Sequence, residues 1–440
     1  MTNVLKFGAS TLGTVPRFRE VAALTGRSGK ILAVLSAPSA LSERLQEVSA
    51  RLRERDTEGA RLAVGRLVEA CSGFAGELFP AGDSQEKACA YLQELRAWLV
   101  SLPLEPFREA TEKLVLAQGE LLTTYLMGLC LAEQGIQAHS VPAFSFLRRD
   151  AHGQPDMDHL RTTLPALLAE APDADVYLTQ GFLCMNSRGE ADRLGPDGGD
   201  LSACLIGAAL GSEEIRIRTS AEGRDAGGAQ IVLGNTPVGH LHYGEAAELA
   251  YFGARMPHPA SILPAREAGI PVVLADLADP LDGGIRIDGV LEHGSIKAVA
   301  AKSQITAIRI QSSRMLLAHG SLRRVFEVFE GYRTAIDMIC TSEIGVSLTI
   351  DDDRYLPEIL RDLQRYGAVD VDRDMCIVCV VGDIDWGRPG TVSRVMEALE
   401  GIPVRMVSYG GSPFNLSLLV RAEDRSETLR LLGEMLGNHA

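Results

Sequence analysis

Four stretches of the chain combine small residues with charge in the way that holding an anionic group requires. Lys6-Phe-Gly-Ala-Ser-Thr-Leu-Gly13 sets a lysine, glycines and hydroxyls at the end of a short apolar run. Backbone N–H groups of such a turn approach phosphate oxygens, and Lys6 supplies positive charge. The same pattern also suits a tight turn with a solvated lysine. Ala37-Pro-Ser-Ala-Leu-Ser42 places hydroxyls directly after a second apolar run, Ile31–Ser36. Gly195-Pro-Asp-Gly-Gly-Asp-Leu-Ser202 is a glycine-rich entry into a helical stretch, Leu201–Leu210. The fourth group is Glu120, in the helical run Leu114–Leu122, where a carboxylate alone reads as a solvated helix charge.

Positioning these groups requires a sheet. Short apolar runs at Val4–Gly8, Ile31–Ser36, Val176–Gly181, Ile215–Thr219 and Pro271–Ala275 predict strands. Helical spacing predicts helices over Glu43–Arg55, Ala60–Leu78 and Glu112–Gln134. Alternating strands and helices imply a parallel sheet covered on both faces, which binds ligands at the carboxyl ends of its strands. The block from about 43 to 134 is too long for one crossover, so an inserted helical lobe is expected there.

The last part of the chain repeats at an offset of 70. Arg324-Val-Phe-Glu-Val-Phe-Glu-Gly331 matches Arg394-Val-Met-Glu-Ala-Leu-Glu-Gly401, and Gly345–Ile350 matches Asn415–Val420. Ile336-Asp-Met matches Met406-Val-Ser at the same offset. Two copies of one small α/β unit follow, each read as strand, helix, strand, strand, helix, strand. A domain boundary is expected near 290–303, after the turn-rich Asp279–Gly284.

A length of 440 residues exceeds what one core usually serves. With 43 Lys+Arg against 58 Asp+Glu, the net charge of -15 disfavours nucleic acid and membrane surfaces as partners. Residues 301–440 carry 16 Lys+Arg against 20 Asp+Glu, which leaves 27 against 38 in the first 300. The part that must grip anions is thus the more acidic. Eight cysteines without framework spacing read as reduced thiols of a cytoplasmic protein, and Cys376-x-x-Cys379 as part of a buried strand rather than a zinc or redox site. No apolar run is expected to approach the ~18 residues of a membrane helix.

These segments together resemble the aspartokinases, and the likeness covers nearly the whole chain. Its most specific carriers are Ala246-Ala-Glu-Leu-Ala-Tyr-Phe-Gly-Ala-Arg-Met-Pro-His-Pro259, Pro264-Ala-Arg-Glu-Ala-Gly-Ile-Pro271 and Asp337-Met-Ile-Cys-Thr-Ser-Glu-Ile-Gly-Val-Ser-Leu-Thr-Ile-Asp351. Val404-Arg-Met-Val-Ser-Tyr-Gly-Gly-Ser412, Lys6-Phe-Gly8 and Gln118-Gly-Glu120 add to it. The resemblance implies an α/β fold: an amino-acid-kinase three-layer α/β/α sandwich followed by two ferredoxin-like ACT domains. The expected limits are 1–295 for the kinase domain with its helical insertion at about 43–134, 303–370 for the first ACT domain and 371–440 for the second.

The implied reaction is phosphorylation of the L-aspartate side-chain carboxylate by ATP with Mg²⁺, giving 4-phospho-L-aspartate in lysine, threonine and methionine biosynthesis. By the resemblance, Lys6 and Asp200 are catalytic, Ser42 and Glu120 bind substrate, and Gly8, Thr219 and Arg255 bind nucleotide. Met315, Gly320, Leu322, Asp337, Ser342 and Glu343 fall at an amino-acid effector site, for lysine or threonine. The ACT pair implies a homodimer or higher homo-oligomer. No resident metal is expected.

Three motifs depart from the family pattern. The opening Lys-Phe-Gly-Gly-Thr-Ser becomes Lys6-Phe-Gly-Ala9-Ser10-Thr11, so a Cβ stands where close approach or a positive φ is expected. The loop Gly-Arg-Gly-Gly-Ser-Asp becomes Gly195-Pro196-Asp197-Gly-Gly199-Asp200, losing an arginine for the substrate carboxylate and gaining an acid; Arg193 lies just upstream. The nucleotide segment Thr219–Gln230 lacks the family's Asp, Tyr and Asp-Pro-Arg. An active aspartate kinase, a catalytically lost homologue serving as amino-acid sensor or partner subunit, and a kinase for another carboxylate all stay open at this point.

Overall fold

In the computed structural model of the chain, the described residues are 3–102, 107–195, 197–219, 230–233, 238–252, 256–277, 284–311, 320–387 and 389–437. The chain divides into two compact units: residues 1–223 with 257–289, and 224–256 with 290–440.

The first unit opens with β1 (Asn3–Phe7), α1 (Val15–Arg27) and β2 (Ile31–Leu35). Four helices follow, α2 (Ser39–Arg53), α3 (Thr57–Leu78), α4 (Asp83–Ser101) and α5 (Glu109–Glu133), then β3 (Ala138–Ser140) and α6 (Met157–Ala169). Next come β4 (Val176–Gln180), a hairpin of β5 (Leu183–Met185) and β6 (Ala191–Arg193), then α7 (Gly198–Leu210) and β7 (Ile215–Thr219). Past β8 (Gln230–Leu233), β9 (His240–His242) and α8 (Tyr243–Tyr251), which cluster with the second unit, the first unit resumes. Its last elements are α9 (Pro259–Ala268), β10 (Val272–Asp276) and β11 (Ile285–Asp288).

Within this unit the main sheet runs β3-β4-β2-β1-β7-β10-β11, parallel except for β11. The five expected strands are β1, β2, β4, β7 and β10. Every residue of β2 and β4 is buried, as a parallel sheet covered on both faces requires, which explains why they are legible as apolar runs. The strand order reverses at β1, with β2 on one side and β7 on the other, so the carboxyl end of β1 marks the crevice where such sheets bind ligands. Lys6 sits at that end.

Helix α5 corrects one expectation. It is 25 residues long and, by length and composition alone, apolar enough to cross a membrane. Its apolarity serves a core instead: Val115, Leu122, Leu126, Met127 and Leu131 are buried in the cluster that α1–α4 also line.

The second unit contains β12 (Ile296–Gln311), α10 (Ser321–Gly331), β13 (Ile339–Ser342), β14 (Gly345–Ile350) and α11 (Leu356–Leu363). It continues with β15 (Ala368–Gly382), α12 (Thr391–Ala398), β16 (Met406–Tyr409), β17 (Asn415–Arg421) and α13 (Arg425–Gly437). Its sheet runs β13-β14-β12-β15-β17-β16, with β8 also paired to β12. The halves of this order mirror each other, as a duplicated unit requires.

The two copies exchange strands. The carboxyl half of β12 pairs with β14, and its amino half pairs with the carboxyl half of β15, Ala301 opposite Val378. Ile308 and Ile310 therefore enter a core with Phe329 and Leu348, while Val299 and Ala301 enter one with Val378 and Leu418. The second copy's fourth strand is thus residues 296–302 rather than a segment after α13. A boundary drawn between 370 and 371 falls inside β15. The matched helices and β14/β17 keep the offset of 70, but the third match does not. Met338 and Met406 occupy equivalent places, 68 apart, because a two-residue turn joins β13 to β14 and a longer loop joins β16 to β17.

Candidate functional site

The first unit holds a cavity of about 330 Å³ whose walls include Lys6, Ala9, Ser36, Ser42, Glu120 and Asp200. Each wall group arrives for a local reason. Lys6 is the fourth residue of β1, and its ammonium lies 2.6 Å from the Asp200 carboxylate in the first turn of α7. Both side chains are mostly buried, at 12% and 14% exposure, so this pair is screened far less than a surface ion pair. A Cβ at Gly199 would stand 3.1 Å from Lys6 Cε and 3.2 Å from Ser36 Oγ, so the glycine lets the lysine lie across the helix entry. Ser42 lies in the first turn of α2, at the carboxyl end of β2.

Glu120 is not a solvated charge. It lies on the inward face of α5 at 6% exposure, and its Oε2 accepts the Phe182 N–H at 2.8 Å. Burial pushes its carboxyl up to about 8, against the lowering effect of the Phe182 and Gly181 N–H groups and of Lys6. The helix comes this close because Gly119 faces Ala37 and Leu45; a Cβ there would meet Ala37 Cβ at 2.9 Å.

The altered loops are now readable. Ala9 starts a short 3₁₀ turn, Ala9–Thr11, and takes no positive φ, so its Cβ meets no backbone requirement for glycine. Asp197 caps α7 in the left-handed region, φ 52°, and lines the cavity. A non-glycine there costs about 1 kcal/mol. Asp197→Gly is therefore expected to raise stability by about that amount, and to tighten anionic ligands by removing a negative charge. Denaturant melts and ligand titrations of the two proteins check both.

The nucleotide residues are less gathered. Gly8 donates its N–H to the Arg218 carbonyl (3.2 Å), so that group is engaged. Thr219 ends β7, accepts from the Leu277 N–H at 2.8 Å and is not part of the cavity wall. Arg255, Pro196 and residues 220–229 lie outside the described residues. Among the described residues no cluster of three or more His, Cys, Asp or Glu gathers to hold a metal. Sequence reasoning missed Gln46 and Phe182 in the wall, and named Arg193, also in the wall, only as a nearby residue.

In the second unit the described residues of the expected effector set lie at the start of α10 and around β13. Gly320 caps α10 with φ 80°, Leu322 in the first turn is 39% exposed, and Ser342 and Glu343 stand at the exposed β13–β14 turn. Met315 lies outside the described residues. The Asp337 side chain is 2% exposed and already holds an ammonium, that of Lys302, at 2.7 Å. It also accepts the Tyr251 hydroxyl at 2.9 Å. Burial pulls Lys302 down, but its bonds to Asp337 and Asp351 outweigh this and hold it above the usual lysine range. Lys302→Met is expected to cost about 3 kcal/mol by leaving Asp337 buried and unpaired; the double change with Asp337→Leu should recover most of it in denaturant melts.

The comparisons with known proteins agree with this geometry. The amino acid kinase family matches residues 1–276, and an ACT domain matches residues 378–436. Lysine-sensitive aspartokinase 3 of Escherichia coli (strain K12) is 30% identical over 73% of this chain and 74% of its own. E. coli aspartokinase III solved with lysine and aspartate is 25% identical, with a TM-score of 0.78 over 99% of both chains. The same enzyme with aspartate and ADP gives 0.71 at 25% identity, over 99% of this chain and 100% of that one. With a kinase-type sheet carrying the Lys6–Asp200 cavity, a duplicated α/β unit later in the sequence and relatives over both, the chain belongs to the aspartokinase family.

Proposed function

We propose that the chain transfers the γ-phosphoryl group of ATP to the side-chain carboxylate of L-aspartate, giving 4-phospho-L-aspartate. The observation that carries this reading is the convergence of Lys6, Asp200, Ser42 and Glu120 on one cavity at the entry to α7. A carboxylate is already an anion at neutral pH, so no base is needed to generate the nucleophile. What the site must supply is orientation and positive charge where negative charges meet. Lys6, held by Asp200, would stabilise the transferring group. Glu120 would hold the substrate ammonium and Ser42 a substrate oxygen. Magnesium would arrive with the nucleotide phosphates as part of that substrate.

The same reading makes the duplicated unit a regulatory module that binds an amino acid, lysine or threonine, and joins chains into a homodimer or larger homo-oligomer. A cytoplasmic setting fits its eight unbridged cysteines. One observation favours a second reading, a kinase for a different carboxylate: Asp197 adds negative charge to the cavity wall. An ADP-release assay across L-aspartate, L-glutamate, succinate and N-acetyl-L-aspartate separates the two. Preference for L-aspartate supports the first; turnover with another acid and none with L-aspartate overturns it.

A further inference from the structure

The proposed substrate carries an ammonium and a carboxylate on one carbon, in addition to the carboxylate that reacts. Glu120 answers the ammonium. The family pattern, by the resemblance, has an arginine for a substrate carboxylate in the loop that here reads Gly195-Pro196-Asp197, so in this chain the α-carboxylate calls for another cation.

Arg193 closes β6 and lines the cavity with Lys6, Ser42 and Glu120. Its backbone is fixed on both sides: the residue pairs with Leu183 in the hairpin, and its carbonyl accepts from Arg149 at 3.3 Å. The guanidinium lies over the Phe182 ring, 5.3 Å from the centroid. Among the described residues no carboxylate stands within ion-pair distance of it, although Asp197 and Asp200 line the same cavity. Lys6, by contrast, is already paired with Asp200.

Phe182 therefore does two things at once. Its N–H holds the Glu120 carboxylate, and its ring carries the Arg193 guanidinium. An acceptor for an ammonium and a planar donor for a carboxylate are thus set beside one residue, the arrangement that an α-amino acid head group requires. A guanidinium held over a ring can offer its edge N–H groups to a carboxylate in the two-pronged manner that lysine cannot reproduce. We infer that Arg193 binds the substrate's α-carboxylate, in place of the loop arginine that Pro196 replaces, and so selects an α-amino acid. This rests on the reading of the cavity as the aspartate site.

Calorimetric titration of the full chain with L-aspartate and with β-alanine, which has the ammonium and the reacting carboxylate but no α-carboxylate, tests it. Arg193→Ala is expected to weaken L-aspartate about 100-fold and to leave β-alanine affinity unchanged. Arg193→Lys should fall between the two, and adding Pro196→Arg to Arg193→Ala should recover much of the loss. Unchanged L-aspartate affinity in Arg193→Ala overturns the assignment. Equal loss of both ligands overturns it as well, because that marks disturbance of Phe182 and Glu120. Binding without turnover in the wild type leaves the Arg193 assignment standing and removes the kinase reading; absence of L-aspartate binding at millimolar concentration overturns both.

Discussion

Lys6→Ala lowers turnover by about 10³-fold or more, with a smaller effect on aspartate affinity. The expectation follows from where charge develops. The reacting oxygens of ATP and aspartate are all negative, and Lys6 is the cation that β1 delivers to the strand-order reversal. Its ammonium is largely shielded from water, so its field on the transferring group is strong. Removing a positioned charge of this kind typically costs ~10²- to 10⁵-fold in rate. Lys6→Arg does not rescue, because the guanidinium is larger and Gly199 leaves room for a slim chain only. Steady-state kcat and KM for both substrates check this. The variant also leaves Asp200 without its cation, so a melt should accompany the kinetics.

Glu120→Gln produces the second large effect, and it appears as a pH dependence. Buried in the free protein, Glu120 keeps its proton up to about pH 8. Only the ionised form holds an ammonium well, so aspartate binding must expel that proton. Apparent affinity therefore tightens about tenfold per pH unit below pH 8 and levels off above it. Glutamine keeps an acceptor for the Phe182 N–H but carries no charge; its affinity is weaker by ~10- to 100-fold above pH 8 and flat with pH.

Stability moves in the opposite direction. The folded carboxyl sits above the unfolded value near 4.5, so the folded chain binds the extra proton. Wild-type stability thus falls as pH rises from about 4.5 to about 8, then levels. The Glu120→Gln variant lacks that fall, and the difference between the two melts isolates this residue from the buried Glu245, which shifts the same way. Calorimetric titrations in buffers of different ionisation enthalpy count the proton released on binding.

The parts of this account visible in the sequence are those where local pattern and burial coincide. Strands β2 and β4 are buried along their whole length, so their apolar runs stand out. The duplication is visible because both copies bury equivalent positions, Leu348 and Leu418 among them. Lys6 and Asp200 lie in motifs, 194 positions apart, and were readable for that reason. What stayed hidden depends on distant pairing. The exchange of β12 between copies is a register between residues about 75 apart, which no local pattern records. Likewise Asp337 looks available until Lys302 and Tyr251, from other elements, fold onto it. Phe182 and Arg193 flank a hairpin, one just before and the other at the end of three-residue strands too short to carry a period.

The central claim is that this cavity transfers phosphoryl to aspartate despite its altered loops. Trapping the acyl phosphate with hydroxylamine tests it most directly, using the full chain with ATP, Mg²⁺ and L-aspartate. The prediction is aspartyl hydroxamate that accumulates with time in the wild type and falls about 10³-fold in Lys6→Ala; wild-type product no greater than that of Lys6→Ala would contradict it.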